Sequence, residues 1–279
     1  MGRRRLTISA ILLSALWFCF PSRGQAPAAA SRTVNTPTVL DDDATLLDPG
    51  SYTFDYYNSY SRSPQDYYAS IPGLDFTLGL NPRLEFSASS GYRSANSENN
   101  GLDDSLVGMK VLLLSQNSQR PAIAVKPTLE VLSEISGNEQ ANSYRADFGL
   151  PILVEKDFES WSASYTAGYL TRGVAFTVLK VEGNWWDCLT PAAIFSFSQM
   201  TTDLAALQSL GLNRRQIDTQ ANLTREINSR WSVFVQAGRS IGRSDLNNYS
   251  FEFTAGVTFA AQLWGRSNGP EYPGPTIHF

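Results

Sequence analysis

The feature that most constrains this chain is a two-residue period, with one side aromatic or aliphatic and the other small and polar. In Tyr249–Phe259 one alternate set is Tyr249, Phe251, Phe253, Ala255, Val257 and Phe259, and the other is Ser250, Glu252, Thr254, Gly256 and Thr258. Successive strand side chains point to opposite faces, so this segment reads as a strand with an apolar side and a wet side. The pattern recurs in Tyr144–Val154, in Trp161–Tyr169, in Leu84–Tyr92 and around Ile217–Leu223. Leu74, Phe76, Leu78 and Leu80 alternate as well, as do Val107, Met109, Val111 and Leu113. Val174–Glu182 leaves two registers open: either Ala175, Thr177, Leu179 and Val181 face outward, or Phe176 and Val178 do.

From 50 to 260 this gives about twelve strands, an even number as single-chain bacterial membrane barrels have. The connections alternate in length. Asn81–Pro82, Ser115–Gln119, Asp157–Ser160, Asp187–Thr190 and Ile227–Ser229 read as short turns. Ser59–Asp66, Ser94–Gly101, Glu134–Asn142, Thr201–Asn213 and Gly242–Asn248 read as longer loops, with Thr171–Gly173 a short exception. Short periplasmic turns facing longer outer loops are a barrel signature. The expected fold is therefore all-β: a single transmembrane antiparallel barrel. Asp203–Leu212 has a weakly helical pattern that fits an outer loop.

The flanks read differently. Arg3, Arg4 and Arg5 precede an apolar run from Leu6 to Phe20, and small residues follow at Ala26, Ala28, Ala29 and Ala30. This is the layout of a cleaved signal peptide, placed at 1–28. The apolar run is short for a helix spanning the membrane, which needs about 20 residues. Residues 29–49 read as a periplasmic arm whose Asp41–Asp43 run is a solvated linker, since calcium-loop spacing is missing. Residues 261–279 form a Pro-rich tail in which Pro270, Pro273 and Pro275 exclude a central strand. Either flank is long enough to enter the barrel from below.

Composition narrows the function. Charged residues are 17% of the chain, against roughly 25% in soluble domains. The net charge of −4 argues against nucleic acid as a partner, since phosphate binding needs a basic patch. Once the signal leaves with Cys19, Cys188 alone remains, so no disulfide forms within the chain and no cysteine metal site exists. The one histidine, His278, lies in the tail, away from any serine on the barrel wall. Hydrolytic Ser–His chemistry is therefore not expected, nor are a P-loop, an H-E-x-x-H site or any cofactor. The chain reads as a non-enzyme.

The candidate working residues lie on the wet faces: Arg83, Glu85, Lys110, Lys126, Glu130, Arg145, Asp147, Asp218, Glu226 and Glu252, with Asp55, Asp75, Lys180 and Glu182 beside them. They form either an ion-pair network filling the lumen or a constriction that selects solutes. With both signs present, weak ion selectivity is expected. Trp161, Trp185, Trp231 and Tyr249, together with Trp186, fall near strand ends and suit an aromatic girdle at the lipid interface. Phe259 is placed as the terminal-strand signal for the barrel-assembly machinery.

Gly101–Leu113 (GLDDSLVGMKVLL), a polar turn and Pro121–Leu132 (PAIAVKPTLEVL) resemble the outer-membrane family named for a MetA pathway of phenol degradation. Leu80–Phe86 (LNPRLEF) and Ile227–Phe234 (INSRWSVF) look like its turn-plus-Arg hairpins, and the likeness spans about Gly50–Phe259. It departs at Val131–Gly137, where the family's Pro-Thr-Gly-type loop start is replaced by Ser-Glu-Ile-Ser-Gly. The resemblance implies a transporter-like barrel in the outer membrane, its partners being lipid and a small solute, hydrophobic or aromatic ones included. The rival expectation is a non-conducting structural or adhesion barrel that works through its loops.

Overall fold

In the computed structural model the described residues are 42–62, 67–95, 100–131, 146–171, 173–183, 189–201, 215–241 and 251–264. They form one continuous antiparallel sheet closed on itself, the first strand pairing with both the second and the last. Fifteen hydrogen-bonded segments make up twelve strands, because three strands are each interrupted once. In chain order they are β1 (Ser51–Arg62), β2 (Tyr67–Asn81), β3 (Leu84–Ala95) and β4 (Gly101–Leu102 continued by Ser105–Leu114). Then come β5 (Ala122–Val125 and Thr128–Val131), β6 (Ala146–Gly149 and Ile152–Asp157), β7 (Trp161–Leu170) and β8 (Val174–Gly183). The circuit ends with β9 (Leu189–Met200), β10 (Arg215–Asn228), β11 (Trp231–Ser240) and β12 (Phe251–Gln262). Each strand pairs with its sequence neighbours, an up-and-down barrel without an open edge.

The breaks in β5 and β6 have a shared cause. Pro127 and Pro151 lack the N–H a ladder needs, and both carbonyls still accept: Met109 N–H donates to Pro127 and Lys126 N–H to Pro151. Tyr144–Val154 is thus not one unbroken strand as its alternation suggested; the segment described from Ala146 is broken at Leu150–Pro151. In β8 the open register is settled: Val174, Phe176, Val178, Lys180 and Glu182 are buried, while Leu179 and Val181 face outward.

Three short turns share a device. Asn81 Oδ1 accepts from Arg83 N–H at 2.8 Å, Asn117 Oδ1 from Gln119 and Arg120 N–H at 2.9 Å, and Asn228 Oδ1 from Arg230 and Trp231 N–H at 2.9 and 3.0 Å. An asparagine closing its own turn is what short hairpins favour. Boundaries moved at several places. Thr190, read as a turn residue, lies in β9; β10 continues to Asn228; and β12 runs to Gln262, past the expected end at 260. The 1–28 signal segment, the tail from 265, Asp203–Leu212, Trp186, Cys188 and His278 lie outside the described residues.

The two faces separate by chemistry. Outward, Phe54, Tyr165, Leu179, Phe195, Ile217 and Phe253 stand exposed as a continuous apolar surface. Inward, Asp55, Glu85, Lys110, Gln236, Glu252 and Thr254 are buried. This inverts a water-soluble protein, and a closed sheet dressed this way suits a bilayer, because all its backbone groups pair internally. No helix among the described residues is long and apolar enough to cross a membrane; the crossing is made by strands.

Candidate functional site: the lumen and the segment seated in it

The chain enters the barrel before β1. Gly50 has φ +80°, and the Trp264 indole lies where its Cβ would stand, 2.6 Å away. Only glycine satisfies both demands. Gly50 N–H donates to Gly79 O at 2.7 Å, and Leu263 N–H donates to Gly50 O at 2.8 Å, so the first and last strands are tied together at this corner. A Cβ on Gly79 would meet the carbonyl oxygens of Asp48 and Leu47 at 2.4 and 2.6 Å. The missing side chain is the space through which the backbone turns inward.

Residues 42–47 then lie against the inner wall. Leu47 N–H donates to Glu85 Oε2 (2.9 Å), while the Thr45 N–H and hydroxyl both donate to Glu155 Oε2 (2.8 and 2.6 Å). Ala44 is fully enclosed by Ala122, Ala124 and Leu153, with Leu112 against them. Lys110 Nζ donates to Asp42 Oδ1 (3.0 Å), Asp43 Oδ1 (3.3 Å) and the carbonyls of Asp43 (3.0 Å) and Thr45 (2.8 Å), and it pairs with Glu85 at 3.4 Å. Lys126 Nζ meets Asp42 Oδ2 at 2.6 Å, and the Thr166 hydroxyl donates to Asp42 O at 3.0 Å. Five consecutive strands, β3 to β7, thus grip six residues. Asp42 is 4% exposed and Lys110 1%. Charges this dry survive only when paired and hydrogen-bonded.

This overturns the reading of Asp42 and Asp43 as part of a solvated linker, and it is an entry into the barrel of the kind that the length of the flank allowed. Asp42 and Asp43 neutralise lysines inside the barrel, and the stretch from 42 belongs to the lumen; Asp41 lies outside the described residues.

Of the ten residues placed on the lumen face, Glu85, Lys110, Lys126, Glu130, Asp147 and Glu252 are buried in the interior, and Asp218 is half-buried. Glu85, Lys110 and Lys126 converge on the seated segment. Glu252 accepts from Gln220 (3.2 Å), whose carbonyl accepts from Gln236 (2.7 Å), a chain of amides on the opposite wall. Two others are exposed. Arg83 is exposed in the β2–β3 turn, its N–H committed to Asn81. Glu226 is exposed at the turn end of β10, where it keeps the register of the buried Gln220, Asn222 and Thr224, opposite Ser232. Arg145, Trp185 and Tyr249 lie outside the described residues.

Trp161 and Trp231 are exposed at the end bearing the short turns. Trp161 stacks on Phe158 at 3.9 Å, and Trp231 meets Phe259 at 4.8 Å, with Tyr52 6.1 Å beyond. Phe259 therefore sits inside an aromatic cluster, three residues before β12 ends.

Sequence reading missed two things. One is the apolar patch Leu170, Val174 and Phe176, with Met200 against it, facing inward at the opposite end of the barrel. Its signal was Phe176 and Val178 on the side shared with Lys180. The other is that Gly238–Gly242 spells G-x-S-x-G, a nucleophile pattern. Ser240 is the last residue of β11, and its hydroxyl donates to Asp218 at 2.5 Å. Gln216 donates to both oxygens of the same carboxylate at 3.1 and 3.0 Å, and no histidine stands among the described residues.

No family model and no curated protein matches the chain. Solved structures do. The COG4313 outer membrane channel from Pseudomonas putida F1 superposes with TM-score 0.58 at 11% identity, over 80% of this chain and 100% of that one. This is an outer-membrane barrel fold. The NanC porin (TM-score 0.55) and the KdgM porin in complex with oligogalacturonate (0.53) each cover 74% of this chain and 98% of theirs, both at 12% identity. At such identities the likeness concerns architecture, and it agrees with the lipid-facing band and polar lumen described above.

Proposed function

We propose that the protein is a narrow, non-enzymatic outer-membrane channel for small solutes, partly apolar ones included, whose lumen is occluded by its own residues 42–47. The observation that carries this reading is the inside-out barrel with a segment of the same chain seated across five strands of its inner wall. Twelve strands enclose a lumen intermediate between filled eight-stranded barrels and open porins, so a short segment suffices to close it. The inward patch Leu170, Val174 and Phe176 offers an apolar surface to a solute near one mouth. Export through a cleaved signal at 1–28 and insertion by the assembly machinery belong to this proposal. So does kinship with the MetA-pathway phenol-degradation family, whose resembling segments Gly101–Leu113 and Pro121–Leu132 fall on the adjacent strands β4 and β5.

The seated segment also favours a second reading, a barrel that never conducts and works through its outer loops. Planar-bilayer recording separates the two. Discrete current steps, more frequent when residues 29–47 are removed, support the channel. Silence from both forms at high protein load supports the structural barrel.

A further inference from the structure

Asp42 splits its carboxylate between two ammonium groups, Oδ2 at 2.6 Å from Lys126 and Oδ1 at 3.0 Å from Lys110. The two lysines differ in what they keep. Lys110 has Glu85 on the neighbouring strand, part of the barrel itself. Lys126, with a side chain only 9% exposed, has Asp42 as its one ion-pair partner among the described residues. If residues 42–47 leave, a desolvated cation on the wall loses its ion-pair partner, with Asp75 the wall carboxylate that still acts on it, and the Thr166 hydroxyl is released from the Asp42 carbonyl. Next to it is an apolar notch, now filled by the Ala44 methyl group, formed by Ala122, Ala124 and Leu153. Ala124 and Lys126 share the inward face of β5, so cation and notch are adjacent.

We propose that Lys126, Lys110 and Thr166 form a carboxylate-binding site in the lumen, that Asp42 occupies it as a built-in ligand, and that a small organic acid with an apolar body competes for it. The inference rests on the channel reading and deepens it, because the displacing solute is the one for which the channel opens. Asp42 and Ala44 together display the two halves of such a ligand, a carboxylate and an apolar group two residues away. Occupancy by Asp42 lowers the fraction of molecules competent to bind, and apparent affinity falls in proportion. Removing the competitor therefore tightens binding without adding any contact.

The test is calorimetric titration of the detergent-solubilised full chain with benzoate, its uncharged counterpart benzamide and inorganic phosphate. Correct folding of each variant is read from heat-modifiable gel mobility. Benzoate binds the Asp42→Asn variant roughly tenfold more tightly than the parent, or better, and binding is lost in Lys126→Met. Benzamide does not bind, and phosphate binds more weakly than benzoate. If Asp42→Asn does not fold, Gly79→Val serves, since its side chain collides with the Asp48 carbonyl and dislodges the segment while leaving the lysines intact. No tightening in the variant that folds, retention of affinity in Lys126→Met, or equal binding of benzamide overturns the carboxylate site. Phosphate binding as tight as benzoate overturns the apolar half of it. Because titration needs no current, an absence of conductance defeats the channel reading alone, and an absence of tightening defeats this one alone.

Discussion

Lys126 Nζ lies 2.6 Å from Asp42 Oδ2, a buried ion pair joining residues 84 positions apart. It fastens the chain that precedes the first strand to the middle of the fifth. The same aspartate reaches Lys110 on β4, and its backbone carbonyl accepts from Thr166 on β7. The segment that fills the lumen thus supplies counter-charge to two inward lysines, to Lys126 through Asp42 and to Lys110 beside its wall partner Glu85.

Replacing Lys110 by Met strips Asp42, Asp43 and Glu85 of their shared cation. Breaking a buried ion pair from one side costs about 3–5 kcal/mol, because the partner charge stays dry and unpaired. The urea midpoint of unfolding from lipid vesicles falls accordingly. An unchanged midpoint means that the segment leaves the lumen at no cost, which contradicts the seated arrangement.

Gly79→Val tests the entry path. Its side chain occupies the space of the Asp48 and Leu47 carbonyls, so the chain before Gly50 is expelled while the ladders of β2 persist. Limited proteolysis of the folded variant cuts within residues 42–49 at least ten times faster than in the parent, given roughly the 1.4 kcal/mol of lost seating that a tenfold population change represents. Equal rates refute this route.

Leu179 stands at mid-strand in β8, 43% exposed on the outer face. In lipid, Leu179→Arg costs about 2–4 kcal/mol, the penalty for a cation near the bilayer midplane. The measurement is again the urea midpoint in vesicles. A cost below about 0.5 kcal/mol, as expected of an exposed site in water, refutes lipid contact.

Phe259 joins Trp231 and Tyr52 in the aromatic cluster. Phe259→Ala slows appearance of the heat-modifiable band several-fold when the chain is inserted by purified assembly machinery. The same substitution leaves spontaneous folding into thin bilayers within about twofold, since aromatic pairs contribute about 0.5–1.5 kcal/mol beyond their burial. Equal slowing on both routes assigns Phe259 a packing role alone.

The barrel was legible because alternation reports directly on a sheet that separates lipid from a polar interior. Tyr249–Phe259 needs no partner strand to be read. Direction failed where the period itself breaks, at Arg83 inside a turn. Strand continuity failed at Pro127 and Pro151 for a local reason, the missing N–H.

That a flank could enter the barrel was legible from its length; which residues seat there, and against which strands, was not. Asp42, Ala44 and Thr45 have no period of their own, and an acidic run is usually solvated. The clue lay on the wall, where the small inward residues Gly79, Gly108, Ala122 and Ala124 accompany Lys110 and Lys126. Small side chains beside inward cations leave space and charge for an acidic stretch of chain. That signal becomes readable only when five strands are known to be neighbours.

The central claim is that a closed membrane barrel carries its own occluding segment, and single-channel recording in planar bilayers tests it most directly. The full-length mature chain should give rare, small current steps. The chain lacking residues 29–47 should give frequent and larger ones. Identical traces from the two forms, whether conducting or silent, would contradict the account.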